Sequence, residues 1–154
     1  MTIPRVHHSS AVLLPDATVL ACGGDGYASA EIFSPPYLFK NGNEDADRPL
    51  IGYAPTDVPY GNLFKVILSS GSPVGAAQIG KVSFVRLGST THGFDMDQRY
   101  VPLNFDVHDA LGLEVKAPAN GNLAPPGYYM LFLISDDGVP SIAKYVRLYA
   151  PVAI

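Results

Sequence analysis

Apolar and polar side chains take turns along the second half of the chain. Between Tyr100 and Val107 the apolar positions are Val101, Leu103, Phe105 and Val107, and residues 111–117 keep the same period of two. Such a period puts alternate side chains on opposite faces, so each stretch reads as a strand with one buried face. Residues 81–87 and 143–149 alternate as well, the first only in part. Residues 49–53 and 63–68 are apolar runs of strand length. Residues 127–134 are apolar at nearly every position, the mark of a central strand covered on both faces. Seven strands in about a hundred residues, separated by Gly, Pro, Asn and Asp, predict an immunoglobulin-like β-sandwich over 49–154. Pro125-Pro126-Gly127-Tyr128-Tyr129 leads into the central strand, and one of its tyrosines is expected to form the corner hydrogen bond of such sandwiches.

The first forty residues are patterned differently. Three short apolar runs, 10–14, 18–22 and 30–33, are separated by Pro15-Asp16-Ala17 and Gly23-Gly24-Asp25-Gly26 and closed by Ser34-Pro35-Pro36. Proline fixes φ and aspartate bonds the backbone that follows it, so the runs predict a three-stranded meander. Strand, turn, strand, Gly-Gly and a further strand resemble one blade of a Kelch-type propeller, which is one unit of a ring. The other reading places residues 1–40 within one larger sandwich. A lone blade leaves strand edges and an apolar face uncovered. It is therefore expected to pack onto the sandwich, to pair with another copy, or to be mobile. Residues 41–48 are polar apart from Ala46 and read as a linker.

No helical period runs through any useful window, so the fold class is all-β. Composition agrees: 15 Gly, 14 Pro, nine Tyr and seven Phe suit short strands and turns. Apolar residues at 47% supply a core, and charged residues at 16% are too few for a disordered chain. The net charge of −4, with scattered basic residues, argues against a nucleic-acid partner. No apolar run approaches the roughly 18 residues of a membrane helix, so no membrane partner is expected. Met1-Thr2-Ile3-Pro4-Arg5 does not read as a signal peptide. Cys22 stands alone, which excludes an internal disulfide and leaves the redox compartment open.

Nucleophile elbows, phosphate loops, paired cysteines and zinc-helix motifs are absent from the sequence. Candidate chemistry concentrates in His7, His8 and His92. His92 lies in a twelve-residue link, 88–99, more than twice the length of a plain hairpin loop, so the link is expected to reach away from the sheet. Adjacent imidazoles at His7 and His8 reach one metal ion only where the backbone is irregular. The alternative makes them exposed polar residues at a strand start. Asp136-Asp137-Gly138 is a turn whose acidic pair lacks the oxygen series of a calcium loop. His108, between Asp106 and Asp109, reads as a solvated turn residue. Tyr53 and Tyr60 are candidates for stacking on sugars, against the alternative of core and edge packing.

Taken together, Arg5-Val6-His7-His8-Ser9, Leu13-Leu14-Pro15-Asp16, Ile32-Phe33-Ser34-Pro35-Pro36-Tyr37-Leu38, Arg48-Pro49, Thr91-His92 with Asp97-Gln98-Arg99, Val101-Pro102-Leu103, and the Pro126 to Phe132 stretch with Gly138-Val139-Pro140-Ser141 resemble the C-terminal part of the galactose oxidase and glyoxal oxidase family of copper-radical oxidases. The order and spacing hold across nearly the whole chain. The resemblance implies a last propeller blade over 1–40, a linker over 41–48 and an immunoglobulin-like domain whose loop carries His92 to copper. His8 matches the other histidine ligand. His7 falls where the family has a tyrosine, an axial ligand and proton acceptor; an imidazole there still ligates copper but supplies no phenolate. The family's radical cofactor, a tyrosine cross-linked to cysteine, belongs to earlier blades. Cys22 matches no cofactor position and is expected to be a small buried residue, and the family's nearby cysteine pair has no counterpart. The implied parent oxidises a primary alcohol or aldehyde with dioxygen, releases hydrogen peroxide and is secreted. This chain is expected to contribute copper ligands and a structural domain, to need an upstream propeller as partner, and to be inactive alone. Self-association through the exposed blade is a further expected partnership. The alternative function is a non-catalytic β-sandwich for carbohydrate binding or structural support.

Overall fold

The computed structural model of the chain describes residues 3–151 apart from 27 and 93. Met1, Thr2 and the last three residues of the expected sandwich range lie outside the described residues. In chain order the strands are β1 (Ser9–Leu13), β2 (Val19–Gly23), β3 (Ala30–Phe33), β4 (Phe39–Lys40), β5 (Glu44–Asp45), β6 (Ile51–Tyr53), β7 (Asp57–Pro59), β8 (Leu63–Leu68), β9 (Ile79–Arg86), β10 (Thr90–Thr91), β11 (Phe94–Asp95), β12 (Tyr100–Leu103), β13 (Phe105–Val107), β14 (Gly112–Lys116), β15 (Gly127–Ser135) and β16 (Lys144–Tyr149). The helical turns among the described residues are two short 3-10 segments, Pro36–Leu38 and Ala76–Gln78.

The β15 strand organises the sandwich. It lies between β9 and β16 in the five-stranded sheet β12-β9-β15-β16-β7. Its odd-numbered residues Tyr129, Leu131 and Leu133 enter the core with Val82, Phe84, Val146 and Leu148. The facing sheet, β13-β14-β8-β6, meets them with Phe64, Val66, Leu68, Leu113 and Val115. The even-numbered Met130 and Phe132 point the other way, into a second cluster with Ala17, Leu38 and Ala143. Both faces are covered, which is why the run carries no polar alternation. The β-sandwich of the immunoglobulin-like class thus forms as expected, with two refinements of its strands. The 100–107 run divides: β12 pairs with β9, and β13 pairs with β14 in the other sheet. The alternation survives the crossing because Val101, Leu103 and Phe105 all address the same core. The short strand β7, ending in Pro59, joins β16 in parallel at a sheet edge and is too brief to show a period.

Residues 9–33 form the predicted meander, β1-β2-β3. It packs onto the outer face of the five-stranded sheet, through Leu13 and Ala17 against Met130 and Phe132. Arg48 fastens it there. Its Nε donates to Pro140 O at 2.8 Å, and its Nη2 donates to Asp16 O at 2.7 Å and Ser141 O at 3.0 Å. Ala143 N–H donates to Pro15 O at 2.8 Å, and the Tyr37 hydroxyl donates to Ala17 O at 2.7 Å. Residues 41–48 are more than a linker: Asn41 and Gly42, at φ 50 and 90, turn the β4–β5 ribbon. Lys40 closes this ribbon on Asp47 at 3.1 Å.

Tyr129 is the corner tyrosine. Its hydroxyl donates to Pro125 O at 2.6 Å, and its buried ring lies 5.4 Å from that of Phe84. Tyr128 is on the opposite, exposed face. Tyr129→Phe is expected to lower unfolding free energy by about 1 kcal/mol and Tyr128→Phe to change it little, as read by urea denaturation; equal losses would remove the corner. Asp16 generates a second expectation. The Thr18 hydroxyl, donating at 2.6 Å, holds its carboxyl below the usual range, with help from the Thr18 amide and Arg48. A carboxylate lowered by folding stabilises fully above its unfolded pKa of about 3.9, and the contribution fades as pH falls through the folded value. Melting curves of Asp16→Asn should therefore approach those of the native chain as pH drops below about 4.

Candidate metal centre

The 88–99 link is built rather than loose. Its root is tied by Arg86 N–H donating to Arg99 O at 2.9 Å. The Asp95 carboxylate accepts the Ser89 N–H at 2.8 Å. Beyond these contacts β10 and β11 pair, with Thr90 opposite Asp95 and Thr91 opposite Phe94. His92 occupies the turn with φ 52. The Thr91 hydroxyl lies 2.7 Å from His92 Nδ1, which leaves Nε2 as the ring nitrogen open to an external partner.

His8 approaches from the meander. It precedes β1 with φ 54, the left-handed region that side chains seldom adopt. The backbone there is irregular, as a metal-binding histidine pair would need. Gly24 N–H donates to His8 O at 3.2 Å. The His8 Nε2 lies 3.8 Å from Asp25 Oδ1. Strand register pairs Ser10 with Cys22 and Val12 with Leu20, so these four share one face of β1–β2.

That face is the floor of a cavity of about 470 Å³ whose walls carry both His8 and His92, with Thr90 beside the latter. The structure thus brings together two of the three expected histidines. His7 is exposed and is not among the lining residues. Cys22 departs from expectation: it is half-buried and lines the same cavity instead of being enclosed in a core. Ser10, Thr90, Cys22 and Asp25 were not among the expected site residues, and only the β1–β2 register reveals the first and third. Among the described residues no group of three or more His, Cys, Asp or Glu is arranged to hold a metal, the Asp136–Asp137 turn included. His108 is an exposed turn residue, its N–H donating to Gly112 O at 2.9 Å. Tyr53 is exposed, but Tyr60 is half-buried and its hydroxyl donates to Ala124 O at 2.7 Å, so Tyr60 is no open sugar platform.

Two imidazoles on one cavity fit copper in donor type, since neutral imidazole suits copper, zinc and nickel. They fill part of a coordination shell. Any remaining ligands come from outside this pair.

The sandwich and its histidine-bearing loop match a family profile, the galactose oxidase-like Early set domain, over residues 48–148. The chain belongs to that family. Among curated relatives it is 35% identical to an aldehyde oxidase of Vitis pseudoreticulata, over 96% of this chain and 30% of that protein. It is 34% identical to a galactose oxidase of Gibberella zeae, over 96% of this chain and 22% of that protein. A solved fungal alcohol oxidase in complex with copper superposes with a TM-score of 0.82 at 33% identity, over 96% of this chain and 32% of that one. The chain therefore spans between about a fifth and a third of the length of these relatives.

Gly23 makes the His8 geometry possible. It has φ +77, and a Cβ there would stand 2.5 Å from His8 O. Gly26 has a similar φ of +78 but nothing within 4 Å. Both Ala substitutions carry the left-handed cost of about 1–2 kcal/mol. Gly23→Ala should cost more than Gly26→Ala in thermal denaturation, the excess measuring the clash under His8; equal losses would show that the contact carries no weight.

Proposed function

We propose that this chain acts as the C-terminal copper-binding and structural part of a galactose oxidase- or glyoxal oxidase-like copper oxidase. The observation that carries this reading is the single cavity that receives His8 from the meander and His92 from the sandwich loop. The likeness to a copper-bound alcohol oxidase over nearly the whole chain supports it. When bound, copper supplies a Lewis acid and a one-electron centre. The chain's own part is to hold two imidazoles in fixed orientation: Thr91 engages Nδ1 of His92, and the backbone around Gly23 and Gly24 sets His8. His7, outside the cavity, is given no part in this pair.

A propeller partner completes the site in this proposal. The relatives are three to five times longer than the matched segment. The meander and the segment before it also leave apolar side chains exposed, Ile32 at 64% and Val6 at 72%, as a blade awaiting a neighbour would. A primary alcohol or aldehyde is the proposed substrate class of the whole protein.

Two outcomes test this. Copper(II) titration followed by electron paramagnetic resonance should give a one-to-one signal with nitrogen couplings, and His8→Ala or His92→Ala should each weaken binding at least about tenfold, or 1.4 kcal/mol. Binding untouched by either change would sink the ligand assignment. The isolated chain, lacking a cross-linked tyrosine–cysteine, should release no peroxide from galactose or methylglyoxal above a free-copper control.

A further inference from the structure

Arg5 sits three residues before His8 and is the least exposed charged group around the cavity. Its side chain is only 3% exposed, although it belongs to a segment that precedes the first strand. A guanidinium so placed needs partners for all of its donors, because burying an unpaired charge is costly. The partners are there. Nε and Nη2 meet Glu31 Oε2 at 3.2 and 3.1 Å. Nη1 donates to Gly23 O and to Ser29 O, the latter at 3.2 Å, and Nη2 donates to Ser29 Oγ at 3.4 Å.

These partners come from the end of β2, the following turn and β3. They are also the residues that shape the backbone under His8. Gly23 is the glycine whose missing Cβ leaves room for His8 O, and its own N–H donates to Ser29 O at 3.2 Å. Gly24 donates to His8 O at 3.2 Å. The Ser9 hydroxyl reaches back to Arg5 O at 3.5 Å. Residues 5–9 are thus held at both ends, and His8 lies between those ends with its left-handed φ of 54. A left-handed histidine is strained, and persists only where its surroundings determine it.

We propose that Arg5 is the positioning residue for His8: its guanidinium, locked on Glu31, Ser29 and Gly23, fixes the left-handed turn that presents the imidazole to the cavity. The proposal extends the reading of His8 as a metal ligand and rests on it for its functional meaning. The fork matters as much as the charge. Lysine offers a compact charge with three donors on a flexible stem and cannot reproduce the rigid five-donor fork that meets Glu31, Ser29 and Gly23 here.

The experiment uses the full chain in two states. In the metal-free protein, backbone nuclear magnetic resonance shifts of His8 report its left-handed conformation. Arg5→Lys and Glu31→Gln are expected to move them towards extended values, while His92 shifts stay in place. With copper(II) added, the same variants should bind at least about tenfold more weakly and lose one of two nitrogen couplings. Val146→Ala, in the remote sandwich core, controls for general destabilisation and should lower the melting temperature with His8 shifts and copper couplings unchanged. If Arg5→Lys keeps both the His8 shifts and the copper constant, the proposal is overturned. If native copper binding ignores His8→Ala, the ligand reading fails, and the metal-free shifts still decide whether Arg5 sets the turn. Should Arg5→Lys fail to fold, the milder Glu31→Gln carries the same two readouts.

Discussion

The geometry of this molecule depends on one guanidinium holding three carbonyls. Arg48 draws Asp16 O from the β1–β2 turn together with Pro140 O and Ser141 O from the β15–β16 connection. Without it the meander would rest on the sandwich through an apolar contact, which has no preferred rotation, and the backbone bond from Ala143 N–H to Pro15 O. Charge-assisted bonds to fixed carbonyls supply direction. Partial burial opposes the charge and lowers the arginine's pKa, and Asp16 nearby opposes that shift. A group charged at any ordinary pH is thereby made a geometric pin between the β1–β2 turn and the β15–β16 connection.

The β15 strand provides the other half of that attachment. Because its two faces serve two clusters, a residue change there is felt in both layers. Leu131 and Leu133 hold the sheets together, while Met130 and Phe132 are the seat of the meander. The link that carries His92 leaves β9, the neighbour of β15, and returns in β12. One continuous sheet thus underlies both the seat of the meander and the root of the histidine loop.

Much of this was legible in the sequence, for physical reasons. Strands of five residues or more show their period, and the two-sided burial of β15 shows as its missing alternation. The corner tyrosine was legible only as one of Tyr128 and Tyr129: both phases of the run are apolar, and the structure alone puts Tyr129 with Leu131 and Leu133 in the sandwich core. Strands of two or three residues, such as β7, β10 and β11, have no period to read; their pairing is decided by what lies beside them. The crossing between β12 and β13 was hidden because one alternation serves both sheets. At the site, the sequence supplied three histidines and the resemblance ranked them. Which of His7 and His8 faces the cavity is a matter of a single positive φ, and no side-chain pattern encodes that. Cys22 was expected to be buried because cysteine usually is; its pairing with Ser10 across β1–β2 puts it on the cavity floor instead.

His8 and His92 belong to two layers that meet through an apolar seat, the bonds of Arg48 and the backbone bond from Ala143 N–H to Pro15 O. If one ion is held by both, it is a cross-link between those layers, and docking and metal binding share a single thermodynamic cycle. Whatever loosens the seat then weakens the ion's hold by the same factor as the ion tightens the seat. An ion at a hundred times its dissociation constant adds about 2.7 kcal/mol against opening. In such a design a distant substitution at the seat can act as a metal-affinity mutation without approaching either imidazole.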